Sequence, residues 1–195
     1  MRGIILLRMS CFPAPPRRGS LASLVLPLAA TLAIGLVAGG PAAEAAPAAP
    51  AFTLDLLDGG GRFDSRSRIG KKVVVVRFQA TWCRPCVNEE PALQDLWERY
   101  RTRGVEIVAI HVQDNPQDTE EFLRDHGATH PAGLDPKFRI ANRFKAGRPP
   151  STVVINRKGE IVARLAGAGA VAKLPRILEP LLQTKPRKKP PEPLR

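Results

Sequence analysis

Val73-Val74-Val75-Val76-Arg77-Phe78-Gln79-Ala80-Thr81-Trp82-Cys83-Arg84-Pro85-Cys86 is the stretch from which the rest of the chain can be read. Four valines and a phenylalanine, entered from Lys71-Lys72, make a run with little alternation, the pattern of a strand buried on both faces. Beyond it the apolar period changes. Leu93, Leu96, Trp97 and Tyr100 recur at helical spacing and predict a helix from about Cys83 to Arg103, ended by Gly104 and expected to kink at Pro91. Two cysteines two residues apart therefore fall on the first turn of a helix at the exit of a central strand.

That placement has chemical consequences. The spacing lets the sulfurs bridge without straining the backbone, with the N-terminal sulfur expected to face solvent. Unpaired N–H groups at the helix start, together with Arg84, favour a thiolate at Cys83, so Cys83 is the expected nucleophile and Cys86 the resolving thiol. Pro85 fits the first turn and stiffens the loop. Trp82 reads as a shield for the pair and a partner-binding face, or else as a core aromatic. No second Cys pair exists, and His111, His126 and His130 lack ligand spacing, so no zinc site is expected. Covalent haem attachment would need a histidine where Val87 stands. No metal and no bound cofactor are expected; a purely structural disulfide is the bland alternative.

Outward from this core, Val105–Val112 reads as a second buried strand, 119–126 as a short helix with Phe122 and Leu123 inward, and 135–144 as a helix or helical turn. The segments 153–155 and 161–165 surround Asn156-Arg157-Lys158-Gly159 as a hairpin, and Leu174, Ile177, Leu178 and Leu181 share one face of a last helix, with Pro175 near its start. Before the central strand, Phe52-Thr53-Leu54 and Arg62-Phe63-Asp64 flank a glycine-rich turn. The order predicts an α/β domain: a mixed central sheet flanked by helices, with an N-terminal hairpin extension.

A chain of 195 residues, 44% apolar and 25% charged, suits one such domain, placed at 51–182. A basic start, the apolar run 21–38 and Ala43-Glu44-Ala45 mark 1–45 as a signal peptide or, uncleaved, a membrane anchor. Residues 46–50 read as a spacer and 183–195 as a disordered, basic, Pro-rich tail. The net charge of +12 divides into +3 in the leader and +4 in the tail, leaving +5 for the domain. With one Tyr and two Trp, this does not describe a nucleic-acid binder. Cys11 lies in the leader, so the exported form would carry a single Cys pair, consistent with a periplasmic or other extracytoplasmic location, free or anchored to the inner membrane.

The central strand and Ala80-Thr81-Trp82-Cys83-Arg84-Pro85-Cys86, followed by Glu89 and Pro91, resemble thioredoxin-like proteins of the TlpA and ResA type. The likeness extends to Ala51-Phe52-Thr53-Leu54, to Gly70-Lys71, and to Gly147-Arg148-Pro149-Pro150-Ser151-Thr152-Val153-Val154-Ile155-Asn156 with Gly159 behind it, and it covers about 51–182. It implies a thioredoxin fold and an exported thiol-disulfide oxidoreductase acting on protein substrates. The expected direction is reduction, in cytochrome c maturation or a similar task, with electrons from a membrane thiol carrier. It further implies a cis-proline against the Cys pair at Pro150, or at Pro149 in an alternative register. Pro149 removes an N–H from the residue expected to face substrate. Glu89 matches an acidic position implied to aid proton transfer to the resolving thiol, its other reading being an early-helix carboxylate favoured by the dipole. Arg77 stands where cytoplasmic thioredoxins have a buried acid and is read here as an edge residue snorkelling to water. Gln79 stands where a tryptophan is common. Two other functions stay open: a thiol peroxidase, whose Thr and Pro arrangement is not found here, and a non-catalytic binding or assembly module, which only Cys reactivity separates from an enzyme.

Overall fold

The computed structural model describes residues 46–57 and 59–183; the readings of 1–45 as leader or anchor and of the tail beyond 183 lie outside them. Among the described residues no helix is long and apolar enough to cross a membrane. The valine run becomes β3 (Val73–Gln79), and the predicted second buried strand is β4 (Val105–Val112). The hairpin strands are β6 (Ser151–Ile155) and β7 (Ile161–Ala166), and the N-terminal pair is β1 (Thr53–Asp55) with β2 (Arg62–Asp64). Helices α1 (Arg84–Tyr100), α2 (Pro116–Asp125), α3 (Arg139–Arg143) and α4 (Ala170–Gln183) and strand β5 (Ala132–Asp135) complete the order. The main sheet runs β5-β4-β3-β6-β7, parallel from β5 to β3 and antiparallel from β3 to β7. This is the mixed sheet expected of a thioredoxin fold, with β1 and β2 as a separate two-stranded sheet.

The differences from the sequence reading have local causes. Strand β5 was not anticipated because Ala-Gly-Leu-Asp is short and shows no period; it exists by pairing with the outer edge of β4. Helix α2 begins three residues early, since the Asn115 side chain accepts the Asp118 N–H at 2.9 Å and Pro116 suits a first helical turn. Phe122 is buried, whereas Leu123 is only half-buried. Helix α3 is confined to five residues, because Asp135 ends β5 and its carboxylate accepts the N–H groups of Arg139, Ile140 and Ala141. Helix α1 continues through Pro91 into a 3-10 turn, Arg101–Arg103, ended by Gly104 at φ 90°.

Alternation along β3 builds two cores. Val74, Val76 and Phe78 pack with Val108, Ile110 and Val112 of β4 and with Phe52, Phe63 and Phe144. Val73 and Val75 pack on the other face with Val105 and Ile107, against Leu93, Leu96 and Tyr100 of α1 and Leu174 and Leu178 of α4. On this second face the ladder continues Arg77↔Ala109 and Gln79↔His111. Two apolar layers thus give way to two polar ones as β3 approaches the start of α1.

Two attachments should be measurable. Gly133 of β5 lies where β1 crosses it, and a Cβ there would come within 2.4 Å of the Asp55 carbonyl oxygen and 2.7 Å of Leu54 Cγ. Gly133→Ala is expected to cost about 1–3 kcal/mol, read as a lower urea midpoint at unchanged m. At the other end, Glu179 of α4 accepts from Arg103 in a bidentate pair and from the Tyr100 hydroxyl, all at 2.8 Å. The Arg103 hydrogen bonds first, then Tyr100, hold its carboxyl at about 2, against an ordinary 4.5. A depressed carboxyl stabilises the fold above its unfolded value and loses that contribution as pH falls through the folded one. The melting difference between wild type and Glu179→Gln should therefore be full at pH 7 and vanish between pH 4.5 and about 2.

Candidate active site

Cys83 is the N-cap of α1. Its backbone is extended (φ −86°, ψ 96°), and its Sγ accepts the Cys86 N–H at 3.3 Å. The two cysteines form a disulfide with Cα atoms 5.2 Å apart. Contrary to expectation the N-terminal sulfur is not openly solvent-facing: Cys83 is 5% exposed and Cys86 0%. An N-cap side chain turns back toward the first N–H groups of its helix, which here folds the sulfur into the core face shared with Phe78 and Ala80. Arg84 and Pro85 are exposed, and Trp82, at 58%, is a surface aromatic rather than a core one.

The Pro149–Pro150 peptide is cis, which assigns the expected cis-proline to Pro150 and not Pro149. Pro150 is buried directly before β6, whose Ser151 pairs with Phe78 of β3. The proline loop and the Cys pair therefore sit at the same end of the sheet.

Arg77 corrects the sequence reading. It is not an edge residue: β3 lies between β4 and β6, and Arg77 is 1% exposed. With no path to water it pairs inside, Nη2 donating to Glu89 at 2.7 Å and Nη1 to Thr152 Oγ1 at 3.0 Å. Burial pushes the guanidinium below its ordinary value, against the opposing pull of Glu89. Glu89 also accepts the Gly169 N–H, so both its oxygens are engaged.

Beyond Arg77 lies a buried polar layer absent from the sequence reading. Gln79 Nε2 donates to Glu90 Oε2 at 3.0 Å and stands 3.1 Å from His111 Nε2. Glu90 Oε1 is 2.5 Å from His130 Nε2. His111 Nδ1 is 3.0 Å from Asp114, which accepts the N–H and hydroxyl of Thr81 at 2.8 and 3.0 Å. Burial acts to raise the Glu90 carboxyl, but the hydrogen bond and charge of His130, with Gln79 and His111, outweigh it and hold the group below the ordinary carboxylate range. Glu90 could have been suspected from its place four residues after Cys86, one turn along the same helix face. The histidines carry no such signal. Among the described residues no cluster of His, Cys, Asp and Glu is placed to hold a metal ion.

Residues 46–164 match the family model described as the AhpC/TSA family. The thiol-disulfide oxidoreductase ResA of Bacillus subtilis (strain 168) is 29% identical over 151 residues, which cover 77% of this chain and 83% of that protein. The thiol:disulfide interchange protein HelX of Rhodobacter capsulatus is 30% identical over 143 residues, 73% of this chain and 79% of that one. Among solved structures, a thiol:disulfide interchange protein of the thioredoxin family from Chlorobium tepidum TLS superimposes with a TM-score of 0.65 at 26% identity. The match covers 72% of this chain and 99% of that one.

The Arg77–Glu89 pair offers a test of what burial costs. Glu89→Gln leaves a guanidinium with almost no access to water, whereas Arg77→Met leaves a carboxylate whose side chain is 16% exposed. Both should destabilise in urea titrations, by up to about 3–5 kcal/mol, with Glu89→Gln the worse.

Proposed function

The chain belongs to the AhpC/TSA family as a thioredoxin-like thiol-disulfide oxidoreductase of the TlpA/ResA type, and we propose that it works outside the cytoplasm as a reductase of protein disulfides. The observation that carries the reading is the Cys83–Cys86 pair at the N-cap of α1, with the Cys86 N–H directed at Cys83 Sγ. In the reduced protein the same N–H and the helix dipole favour a thiolate on Cys83. That thiolate attacks a substrate disulfide, forming a mixed disulfide and expelling one substrate sulfur as a thiolate. Cys86, deprotonated, then attacks Cys83 Sγ, closes the Cys83–Cys86 bond and releases the second substrate sulfur. A membrane thiol carrier returns two electrons by the reverse exchange. No bound cofactor takes part in this scheme.

Substrate contact falls to Trp82, exposed beside the pair, and to the Pro149-Pro150 loop. Pro149 has no N–H to donate, so a substrate backbone can bond there only to a carbonyl. The disulfide of an apocytochrome c cysteine pair, or of a similar exported cysteine pair, fits this role as substrate. The leader, cleaved or retained through 21–38 as an anchor, would place the domain where such pairs are met. With +5 on the domain, nucleic acid is not among the proposed partners.

The reduction potential tests the direction. Equilibrated in glutathione buffers, the pair is expected near about −270 mV, whereas a value near about −120 mV would make the protein an oxidant and overturn the reductase reading. Cys86→Ser should accumulate a mixed disulfide with an oxidised substrate protein, visible on a non-reducing gel and absent in Cys83→Ser.

A further inference from the structure

We propose that residues 136–150, together with Arg84, form a cationic docking face beside Cys83 for acidic segments of partner proteins, so that the preferred substrate carries carboxylates next to its disulfide; the proposal rests on the exchange reaction above. The segment joins β5 to β6 and holds Lys137, Arg139, Arg143, Lys145 and Arg148 without a single acid. Its charge of +5 equals the net charge of the whole domain, so the rest of the domain is balanced. All five cations are exposed, as is Arg84. Elsewhere surface cations meet acids: Arg62 with Asp55, Lys72 with Glu106, Arg101 with Glu98 and Arg103 with Glu179. Among the described residues none of the six forms an ion pair; the Arg143 guanidinium donates to the Ala51 carbonyl.

Packing fixes where these charges stand. Ala141, Phe144 and Ala146 are buried in the cluster that contains Cys83 and Cys86, and Phe138 and Ile140 pack against it. The charged residues between them are left facing water, on the side of the sheet where Phe144 meets Phe78. Lys145 thus flanks a residue of the cysteine cluster, Arg148 stands two positions before cis-Pro150, and Arg84 follows Cys83 directly. Carboxylates near this end are withdrawn: Asp135 is buried under three N–H groups, Asp114 against Thr81 and His111, and Glu89 is taken by Arg77 and Gly169. The exposed acids Asp118, Glu120 and Glu121 belong to α2, whose Phe122 packs on His111 across the sheet. Lys145 has φ 53°, a left-handed backbone that costs a lysine more than a glycine, so a charge is carried where the turn itself favours none.

A protein segment fits this face better than a lipid surface does. The cations flank Trp82 and the Pro149-Pro150 loop, the groups already assigned to substrate contact, and a membrane lying on them would cover Cys83, which is only 5% exposed. Pro149 also leaves a bound backbone one donor short, and charge attraction supplies orientation and encounter rate in its place. The field of these charges acts over a Debye length of roughly 8 Å at physiological salt. A partner is therefore drawn by its acidic surroundings as well as by its cysteines.

The test is single-turnover reduction, by the reduced protein at low and high salt, of disulfide peptides that differ only in whether aspartate, serine or lysine flanks their cysteines. At low salt the aspartate peptide is expected to react at least about 10-fold faster than the lysine peptide, with serine between them, and the spread should shrink as salt rises. Lys145→Glu combined with Arg148→Glu should invert the order. Lys71→Glu combined with Arg99→Glu, an equal charge change in exposed residues at the opposite end of the sheet, should keep it. Cations of the leader and the tail are common to every variant. Circular dichroism establishes that each variant is folded; should the first pair not fold, Arg148→Glu alone and the salt dependence of the wild type decide. Equal rates for the three peptides at low salt, an order that the first pair leaves unchanged, or one that both pairs change alike overturns the face. Binding to phosphatidylglycerol vesicles that the first pair abolishes, without any peptide preference, assigns the face to lipid and overturns it too. A wild-type protein that reduces none of the peptides overturns the exchange reaction instead. The face is then judged by the binding order of the same peptides with serine for cysteine, read by fluorescence anisotropy.

Discussion

Strand β3 is covered on both faces and hydrogen-bonded along both edges, so every polar group it carries must find its partner inside the protein. For the first four residues valine meets the constraint by having no polar side-chain atom. At Arg77 and Gln79 it can be met only by other side chains, and α1 supplies them in sequence, Glu89 to one and Glu90 to the other. The pairing ties the early turns of α1 to the strand that delivers the cysteines. The position of the disulfide is thus held by charge and hydrogen bonding as well as by packing.

The same face explains why the chemistry sits at one end of the sheet. Near the start of β3 the layers Val73/Val105 and Val75/Ile107 bury apolar surface against α1 and α4, at roughly 25 cal/mol per Å² removed from water. Toward its end Gln79/His111 replaces them with hydrogen-bonding groups that shape the local field. The fold is anchored where the face is dry and made reactive where it is polar. Helix N-cap geometry then adds the Cys86 N–H at Cys83 Sγ, a donor that favours sulfur as thiolate.

Elements remote in sequence close this polar end. Strand β5 is short, but it extends the sheet beside β4, receives the crossing from β1 through Leu56↔Gly133, and follows directly on His130. Helix α3 is held by three N–H groups converging on Asp135, so the turn after β5 is set by one carboxylate rather than by helix propensity. The loop after β7 returns Gly169 to Glu89, completing the ring around Arg77.

Much of this was legible in the sequence. The unbroken apolar run, the helical recurrence after it, the glycine turns and the two-residue Cys spacing are short-range patterns, and each dictates a local backbone independently of distant residues. From them followed the central strand, the reactive helix start, both hairpins and the closing helix; the resemblance added Pro150 as the cis-proline. What only the tertiary structure decided depends on register between segments far apart. Burial of Arg77 required β4 and β6 on either side of β3, and the near-complete cover of Cys83 required the core face behind it. Glu90 became part of a buried layer because Gln79 pairs across with His111, 32 positions away, and because His130, 40 positions away, reaches its carboxylate. Periodicity and spacing report which face a residue takes; they do not report which partner meets it there.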